Sequence, residues 1–153
     1  MKLKKRRQGA SGFTIIELLV TVGVAAVIMA TAVPAFMSLL PTINLSSAAR
    51  QVATDLQFAR VKAVSQSVRY RLSFVGAIPG ATTYLMQNDS SGAFVTETGP
   101  FALPPGISVS ALTATSEFQP RGTVNATSTI TLQNGNSQTR TVQVALVGRV
   151  TIP

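Results

Sequence analysis

The segment that most limits how this chain folds is an apolar run from Phe13 to Val33 that contains one charged residue, Glu17. As an α-helix the run would be roughly 32 Å long, which matches the hydrocarbon core of a bilayer. A carboxylate inside a membrane-length helix costs about 2.5–3.5 kcal/mol at the centre and less near an end. We therefore expect a membrane-spanning helix whose one acidic side chain has a specific role.

The residues before this run are strongly basic. Five of the chain's 13 lysines and arginines precede the run, and subtracting them lowers the formal net charge from +8 to +3. A basic tail can bind nucleic acid, but basic residues beside a hydrophobic helix hold that end of the chain in the cytoplasm. This pattern predicts a single-pass inner membrane protein with a cytoplasmic N-terminus and an extracytoplasmic C-terminal part. The five residues are Lys2, Lys4, Lys5, Arg6 and Arg7.

Two other interpretations of the apolar run are a plain single-pass anchor and an ordinary secretory signal. The secretory signal would be cut at the small residues Ala30-Thr31-Ala32 or Val33-Pro34-Ala35. Against it, the run is longer than the usual apolar region of about 7–15 residues, and it includes a glutamate. Another alternative for Glu17 is a carboxylate near the membrane interface that is satisfied by Thr14 or Thr21, one helical turn away.

Gly12-Phe13-Thr14-Ile15-Ile16-Glu17 resembles the type IV prepilin signal. The resemblance implies that a prepilin peptidase removes residues 1–12 by cutting after Gly12, and that Phe13 becomes an N-methylated N-terminus. It also implies that Glu17 pairs with the N-terminal amine of a neighbouring subunit during fibre assembly. Residues 13–41 would then form the transmembrane and assembly helix. A proline at the distance of Pro34 often marks a helix kink in such proteins, and Pro41 offers a second break or a boundary.

After Pro41 the apolar residues first follow a helical period and then a period of two. Residues 43 to about 66 carry an apolar stripe in steps of three and four, whereas 68–74 alternate as a half-buried strand does. Further strands are predicted at 82–87, 93–96, 107–109, 127–132, 139–147 and 149–152, with a loop at Pro100–Gly106 and a hairpin turn at Gln133–Asn136. The pattern predicts an α+β fold in which a long N-terminal helix packs on an antiparallel β-sheet domain, with residues 42–153 outside the cytoplasm. The six stripe residues are Leu45, Ala49, Val52, Leu56, Ala59 and Ala63.

Three segments of the C-terminal part carry a second resemblance. The helix end at 55–64, Phe118-Gln119-Pro120-Arg121-Gly122 and Val147-Gly148-Arg149-Val150 are similar to the GspH/FimT family of minor pilin-like subunits. Members belong to type II secretion pseudopili or type IV pili, and they help to start the fibre or lie near its tip. The resemblance thus implies a pilin-like fold and, as partners, prepilin peptidase/N-methyltransferase and other major and minor (pseudo)pilins. The resemblance does not distinguish a type II secretion pseudopilus from a type IV pilus.

The composition argues against catalysis and bound cofactors. The chain has no cysteine and no histidine, so the commonest general base and the commonest metal ligands are missing. The five acidic residues are scattered, and a serine–lysine pair would have to use Lys62, which we expect on a solvated helix face. Asp89 is expected to form a turn rather than a calcium loop. We therefore predict that the chain is not an enzyme and binds neither a metal nor a cofactor.

The arginines support one alternative function, a pilus-associated subunit that binds DNA during uptake. Arg69 and Arg71 are predicted to share one strand face, and a solvated face is the simpler interpretation of that pair. The five arginines of the DNA alternative are Arg69, Arg71, Arg121, Arg140 and Arg149. A second alternative is an anchored extracytoplasmic enzyme with no role in assembly. The prediction that the motifs favour is a minor pseudopilin or pilin that assembles through its N-terminal helix.

Overall fold

The computed structural model describes residues 13–153, which form one long helix followed by eight β-strands. The chain divides into two units, one ending at Ser38 and the other covering Leu39–Pro153. The elements are α1 (Ile15–Gln66), β1 (Tyr70–Val75), β2 (Thr83–Asn88), β3 (Val95–Ala102), β4 (Ile107–Leu112), β5 (Glu117–Phe118), β6 (Ser128–Asn134), β7 (Thr139–Val144) and β8 (Val150–Thr151).

Helix α1 continues through both of its prolines. A proline removes one backbone hydrogen bond inside a helix, yet neither Pro34 nor Pro41 ends α1. The expectation that Pro41 breaks the helix is therefore wrong, because packing of the following turns holds the chain helical to Gln66. The alternative that Pro41 marks a boundary stays a prediction. The helix kink at Pro34 stays a prediction.

The second half of α1 carries the predicted apolar stripe. All six predicted stripe residues are buried, and the stripe is wider than predicted because Ala48 and Ala53 are buried too. Five of the eight buried helix residues are alanines, so the backbone of the helix lies close to the strands that it covers. These residues belong to one hydrophobic cluster with buried side chains of both sheets, including Tyr84 and Leu132.

The strands form two four-stranded antiparallel sheets, with the orders β3-β2-β1-β5 and β4-β6-β7-β8. The sequence pattern predicted an antiparallel β-sheet domain but not the division into two sheets, since strand propensity does not specify which strands pair. The predicted hairpin turn at Gln133–Asn136 is confirmed, because β6 pairs directly with β7 across it. The predicted helix packed on antiparallel strands is likewise confirmed.

Two parts of the strand prediction are wrong. Pro100 was expected in a loop, but it lies inside β3. Strand β3 is at the edge of its sheet, so the missing N–H of a proline need not break a ladder hydrogen bond there. Arg69 also lies just before β1 instead of inside it.

Candidate functional site

The start of α1 is capped by the threonine of the Phe13-Thr14-Ile15-Ile16-Glu17 segment. Thr14 precedes the first helical residue, and its Oγ1 accepts a hydrogen bond of 3.3 Å from the backbone N–H of Glu17. A Thr followed three residues later by Glu is the spacing of a capping box. Glu17 therefore lies in the first turn, where the positive end of the helix dipole favours a carboxylate.

The hydroxyls that were considered as partners of Glu17 bond elsewhere. Thr14 accepts the backbone N–H described above, and Thr21 donates to the carbonyl of Leu18 at 2.9 Å. Within residues 13–153, no hydrogen bond or ion pair involves the Glu17 carboxylate. This arrangement leaves the carboxylate without a partner among the described residues.

The N-terminal half of α1 exposes nearly all of its apolar side chains. Every residue from 13 to 40 is exposed except Ala25, which is half-buried. The stretch is long and apolar enough to cross a membrane, and none of its most apolar window is buried within the chain. Soluble monomers rarely expose apolar patches larger than a few hundred Å². This surface therefore needs a lipid or protein environment.

The predicted processing residues lie at the edge of the described chain. Phe13 is 75% exposed and precedes α1, whereas Gly12 lies outside the described residues. Pro34 lies within the exposed helical half. The roles of Gly12, Phe13, Glu17 and Pro34 remain predictions.

In the C-terminal unit, an arginine joins the three segments that carry the second family resemblance. Arg60 of α1 donates from Nε to the carbonyl of Gly122 at 2.9 Å and from Nη2 to the carbonyl of Val147 at 3.3 Å. The two acceptors come from the Gln119–Gly122 turn and the Ala145–Arg149 turn. The guanidinium thus fixes two loops onto the helix with bonds to otherwise unpaired carbonyls.

Two glycines make this junction sterically possible. Gly148 has φ of +75°, and a Cβ there would lie 1.9 Å from the Gly122 carbonyl oxygen. Gly122 has φ of +80°, and a Cβ there would lie 3.2 Å from Cγ2 of Val64. Both positions therefore favour glycine, which has no Cβ to clash and readily adopts the left-handed backbone conformation.

The role of Arg60 was not predicted from the sequence, in which this arginine falls off the apolar stripe. The structure half-buries this arginine beside the buried Ala59. A signal was present in the sequence, since Arg60 directly adjoins the apolar stripe and a long side chain at such a border can reach a neighbouring loop.

Arg69 and Arg71 are paired with carboxylates. Arg69 pairs with Asp89, whose side chain is 7% exposed, and Arg71 lies 3.5 Å from Glu117. Both guanidinium groups also stack on Phe94, with centroid distances of 5.5 Å for Arg69 and 3.9 Å for Arg71. The pair is partly solvated, since the Arg69 side chain is 42% exposed. Its charges are nevertheless paired, because sheet pairing places Glu117 directly opposite Arg71 and brings Asp89 from the end of β2.

The other three arginines of the DNA alternative occupy separate places. Arg121 lines a groove with Val61 and Val64, Arg140 lines a hollow with Arg50, and Arg149 lies beside β6 and β7. Since Arg69 and Arg71 are paired with carboxylates, the five residues do not form one cationic track. DNA binding needs several cations aimed at adjacent phosphates, so this arrangement does not support the DNA alternative.

Lys62 is also more enclosed than predicted. It pairs with Glu97, and the two side chains are 21% and 27% exposed. Its ammonium lies 5.2 Å from the ring centroid of Phe58 and 5.8 Å from that of Tyr70. The hydrogen bond from Lys62 is the main cause that lowers the pKa of Glu97, and burial raises the pKa of Tyr70. The expectation of a solvated lysine is wrong because β3 places a carboxylate above that helix face.

Asp55 is the remaining acidic side chain of the unit Leu39–Pro153, which we call the sheet unit, and it accepts a hydrogen bond from a buried tyrosine. Tyr84 donates a hydrogen bond to Asp55, and its oxygen accepts one of 3.0 Å from the Gln51 amide. Burial, together with the adjacent carboxylate, raises the pKa of Tyr84 well above its ordinary value. Helix α1 and strand β2 are therefore joined by polar contacts as well as by the core.

Among residues 13–153, no three acidic side chains come together as a metal cluster would need. Asp89 follows β2 in a turn, as expected, and it bonds Arg69 rather than facing other carboxylates. The Lys62 ammonium, which a serine–lysine pair would have to use, is paired with Glu97 instead.

Two family models match the sequence. Residues 48–148 match the family described as type II transport protein GspH, and residues 7–33 match the prokaryotic N-terminal methylation motif. The first match covers more than half of the chain, including Arg60, Gly122 and Gly148. A comparison with curated proteins gives no match.

Solved structures of two bacterial proteins are similar in fold. The type IV minor pilin FimU of Pseudomonas aeruginosa matches with a TM-score of 0.59 and 18% identity, over 71% of this chain and 87% of FimU. The minor pseudopilin EpsH from the type 2 secretion system of Vibrio cholerae matches with a TM-score of 0.60 and 8% identity, over 72% of this chain and 96% of EpsH. At these identities the similarity establishes the fold alone.

Proposed function

Because the chain belongs to the GspH family of minor pseudopilins and pilins, we propose that it is a structural subunit that assembles through its N-terminal helix. The observation that carries the proposal is the exposed apolar half of α1 with one acid, Glu17, in its first turn. Such a surface is unstable in water and is covered when the helix enters a bilayer or packs among other helices. The proposed assembly is a type II secretion pseudopilus or a type IV pilus.

The proposed maturation is cleavage after Gly12 and methylation of the new N-terminal Phe13. The prokaryotic N-terminal methylation motif, which matches residues 7–33, supports this step. A prepilin peptidase/N-methyltransferase would be the processing partner, and residues 1–12 would be the removed leader. Mass spectrometry of the mature N-terminus tests the step: we expect a peptide that begins with methylated Phe13, and a product that begins beyond Ala32 would contradict it.

Before assembly, the subunit would span the inner membrane once. Residues 13–41 would form the transmembrane and assembly helix, and residues 42–153 would lie outside the cytoplasm. The five basic residues that precede the helix support a cytoplasmic N-terminus, because such residues resist translocation.

In the fibre, the Glu17 carboxylate would pair with the N-terminal ammonium group of a neighbouring major or minor subunit. A carboxylate and an ammonium among apolar helices are each costly alone, so breaking their pair leaves an uncompensated charge. The absence of a hydrogen-bond or ion-pair partner for this carboxylate within residues 13–153 supports the assignment. Charge pairing would then select the register between subunits, and Pro34 would allow the helix to bend among its neighbours.

The proposed place of the subunit is at the start of fibre growth or near the tip. The assignment follows the minor-subunit family and implies that few copies are present per fibre. Incorporation is tested with Glu17→Ala in cells that carry the other fibre components, and Thr21→Ala is the control. We expect Glu17→Ala to remain in the membrane but to be lost from sheared fibres, whereas Thr21→Ala, one helical turn away, is incorporated. Equal incorporation of both variants would contradict the proposal.

A further inference from the structure

An exposed apolar surface lies around the Arg60 junction, in the unit Leu39–Pro153. Four aliphatic side chains are more than half exposed there: Val61 (63%) and Val64 (51%) on α1, and Leu146 (53%) and Val147 (65%) on the turn between β7 and β8. We call these four residues the Arg60 face. Arg60 links its two halves through the carbonyls of Gly122 and Val147.

An exposed arginine borders this face. Arg121 is exposed and lines the groove that contains Val61 and Val64. It has no carboxylate partner within residues 13–153. An apolar centre with an arginine at its rim is a composition enriched in protein interfaces.

The acidic side chains of the same unit are all engaged internally. Asp89, Glu97 and Glu117 form ion pairs, and Asp55 accepts the Tyr84 hydroxyl. A second copy of the chain therefore offers no free side-chain carboxylate from this unit to Arg121, and two Arg60 faces would bring two arginines together. Charge complementarity thus favours a different subunit with free carboxylates.

We infer that the Arg60 face docks an acidic-rimmed apolar surface on a neighbouring, non-identical pilin-like subunit. The inference rests on the proposed function, since it requires the chain to lie beside other subunits in a fibre. Apolar contact with Val61 and Val64 would supply the buried centre, and a carboxylate of the partner would meet Arg121. The junction at Arg60 would keep the helix and the turn in one fixed surface.

The test places a photo-crosslinking benzoylphenylalanine at Val61 in the full-length chain, in cells that assemble the fibre. Val95 is the matched control position, because it is 51% exposed but lies on β3. We expect a Val61 adduct that mass spectrometry maps to an acidic segment of another pilin-like subunit, with at least a fivefold lower yield at Val95. An adduct with a second copy, with a protein that is not pilin-like or with nucleic acid, or equal yields at both positions, would overturn the inference.

A charge reversal sharpens the result. Arg121→Glu in the Val61 crosslinking chain is expected to reduce the adduct at least fivefold, whereas Arg140→Glu, an equal change at an exposed site elsewhere, leaves it unchanged. Equal effects of the two reversals would also overturn the inference, and circular dichroism verifies that both variants are folded. If the chain is absent from sheared fibres, the proposed function fails; if it is present without a Val61 adduct, only this inference fails.

Discussion

The two halves of α1 have similar local structure and opposite surroundings. From Leu45 to Ala63 the helix buries a stripe rich in alanine against strands, whereas from residue 13 to 40 it buries almost nothing within the chain. The buried half uses small residues and polar contacts to match one specific neighbour. The exposed half uses large aliphatic side chains on every side of the helix, which suits lipid or a ring of helices.

The contrast teaches that one continuous helix can serve two separate stability requirements. Substitutions in the buried half should change the free energy of unfolding of the sheet unit. Substitutions in the exposed half should change insertion or assembly and leave that free energy alone. The comparison is sharpest for residues of the same type in the two halves.

The largest expected effect is that of Leu56→Ala, because Leu56 is 0% exposed in the core. Loss of its side chain leaves a cavity and is expected to lower the free energy of unfolding by about 2–5 kcal/mol. Leu19→Ala, at a leucine that is 63% exposed, is the control and should change it by about 0.5 kcal/mol or less. Urea unfolding of the full chain in detergent micelles can follow tyrosine fluorescence, since the chain has two tyrosines and no tryptophan. Similar losses for the two variants would contradict the division of α1.

The next effect concerns Gly148→Ala, which tests the junction that closes the sheet unit on the helix. The new Cβ would overlap the Gly122 carbonyl oxygen and adopt an unfavourable backbone conformation, so we expect a loss of about 3 kcal/mol. Gly92→Ala is the control, with a similar φ of +82° but no atom within 4 Å of the new Cβ, and should cost about 1 kcal/mol. Equal shifts in urea midpoint would mean that the close approach of the two turns is unimportant.

This junction also shows where sequence reasoning stops. The helix, its six stripe residues, most strands and the β6–β7 hairpin could be predicted, because each depends on local periodicity or turn chemistry. The Gln119–Gly122 and Val147–Arg149 segments were identified only as family motifs. Their meeting at Arg60 depends on the pairing of distant strands, which periodicity does not contain.

The same physical reason explains the missed ion pairs. Lys62, Arg69 and Arg71 looked unpaired because no carboxylate is near them in the chain. Their partners Glu97, Asp89 and Glu117 arrive through strand pairing 20 to 46 residues later. The N-terminal site was accessible to sequence reasoning because Gly12, Phe13 and Glu17 lie within a few residues of one another.

A smaller effect is expected for Arg60→Met, which keeps an apolar stem and removes the two hydrogen bonds to loop carbonyls. Hydrogen bonds from a charged group contribute about 1.5–3 kcal/mol, and partial exposure of Arg60 places the expected loss near the lower end. Arg50→Met, at an exposed arginine of the same helix, is the control and should be nearly neutral. The urea midpoints of the two variants, compared at equal m-value, measure the difference. An Arg60→Met chain as stable as wild type would show that the two turns stay in place without the guanidinium.

The smallest effect is a pH dependence that belongs to the sheet unit and not to the exposed half of α1. The hydrogen bond from Lys62 lowers the pKa of Glu97, so the folded state favours the ionised carboxylate. The resulting stability is fully present above the ordinary glutamate pKa of about 4.3 and is lost as the pH falls through the lower folded value. Because both side chains are partly exposed, Lys62→Met should cost about 0.5–1 kcal/mol at neutral pH and make the acid limb of the Tm curve shallower. Arg121→Met is the control, because it removes an equal charge that has no carboxylate partner among the described residues, and it should keep the wild-type slope of the acid limb. Equal slopes for wild type, Lys62→Met and Arg121→Met would mean that the Lys62–Glu97 pair adds nothing to stability.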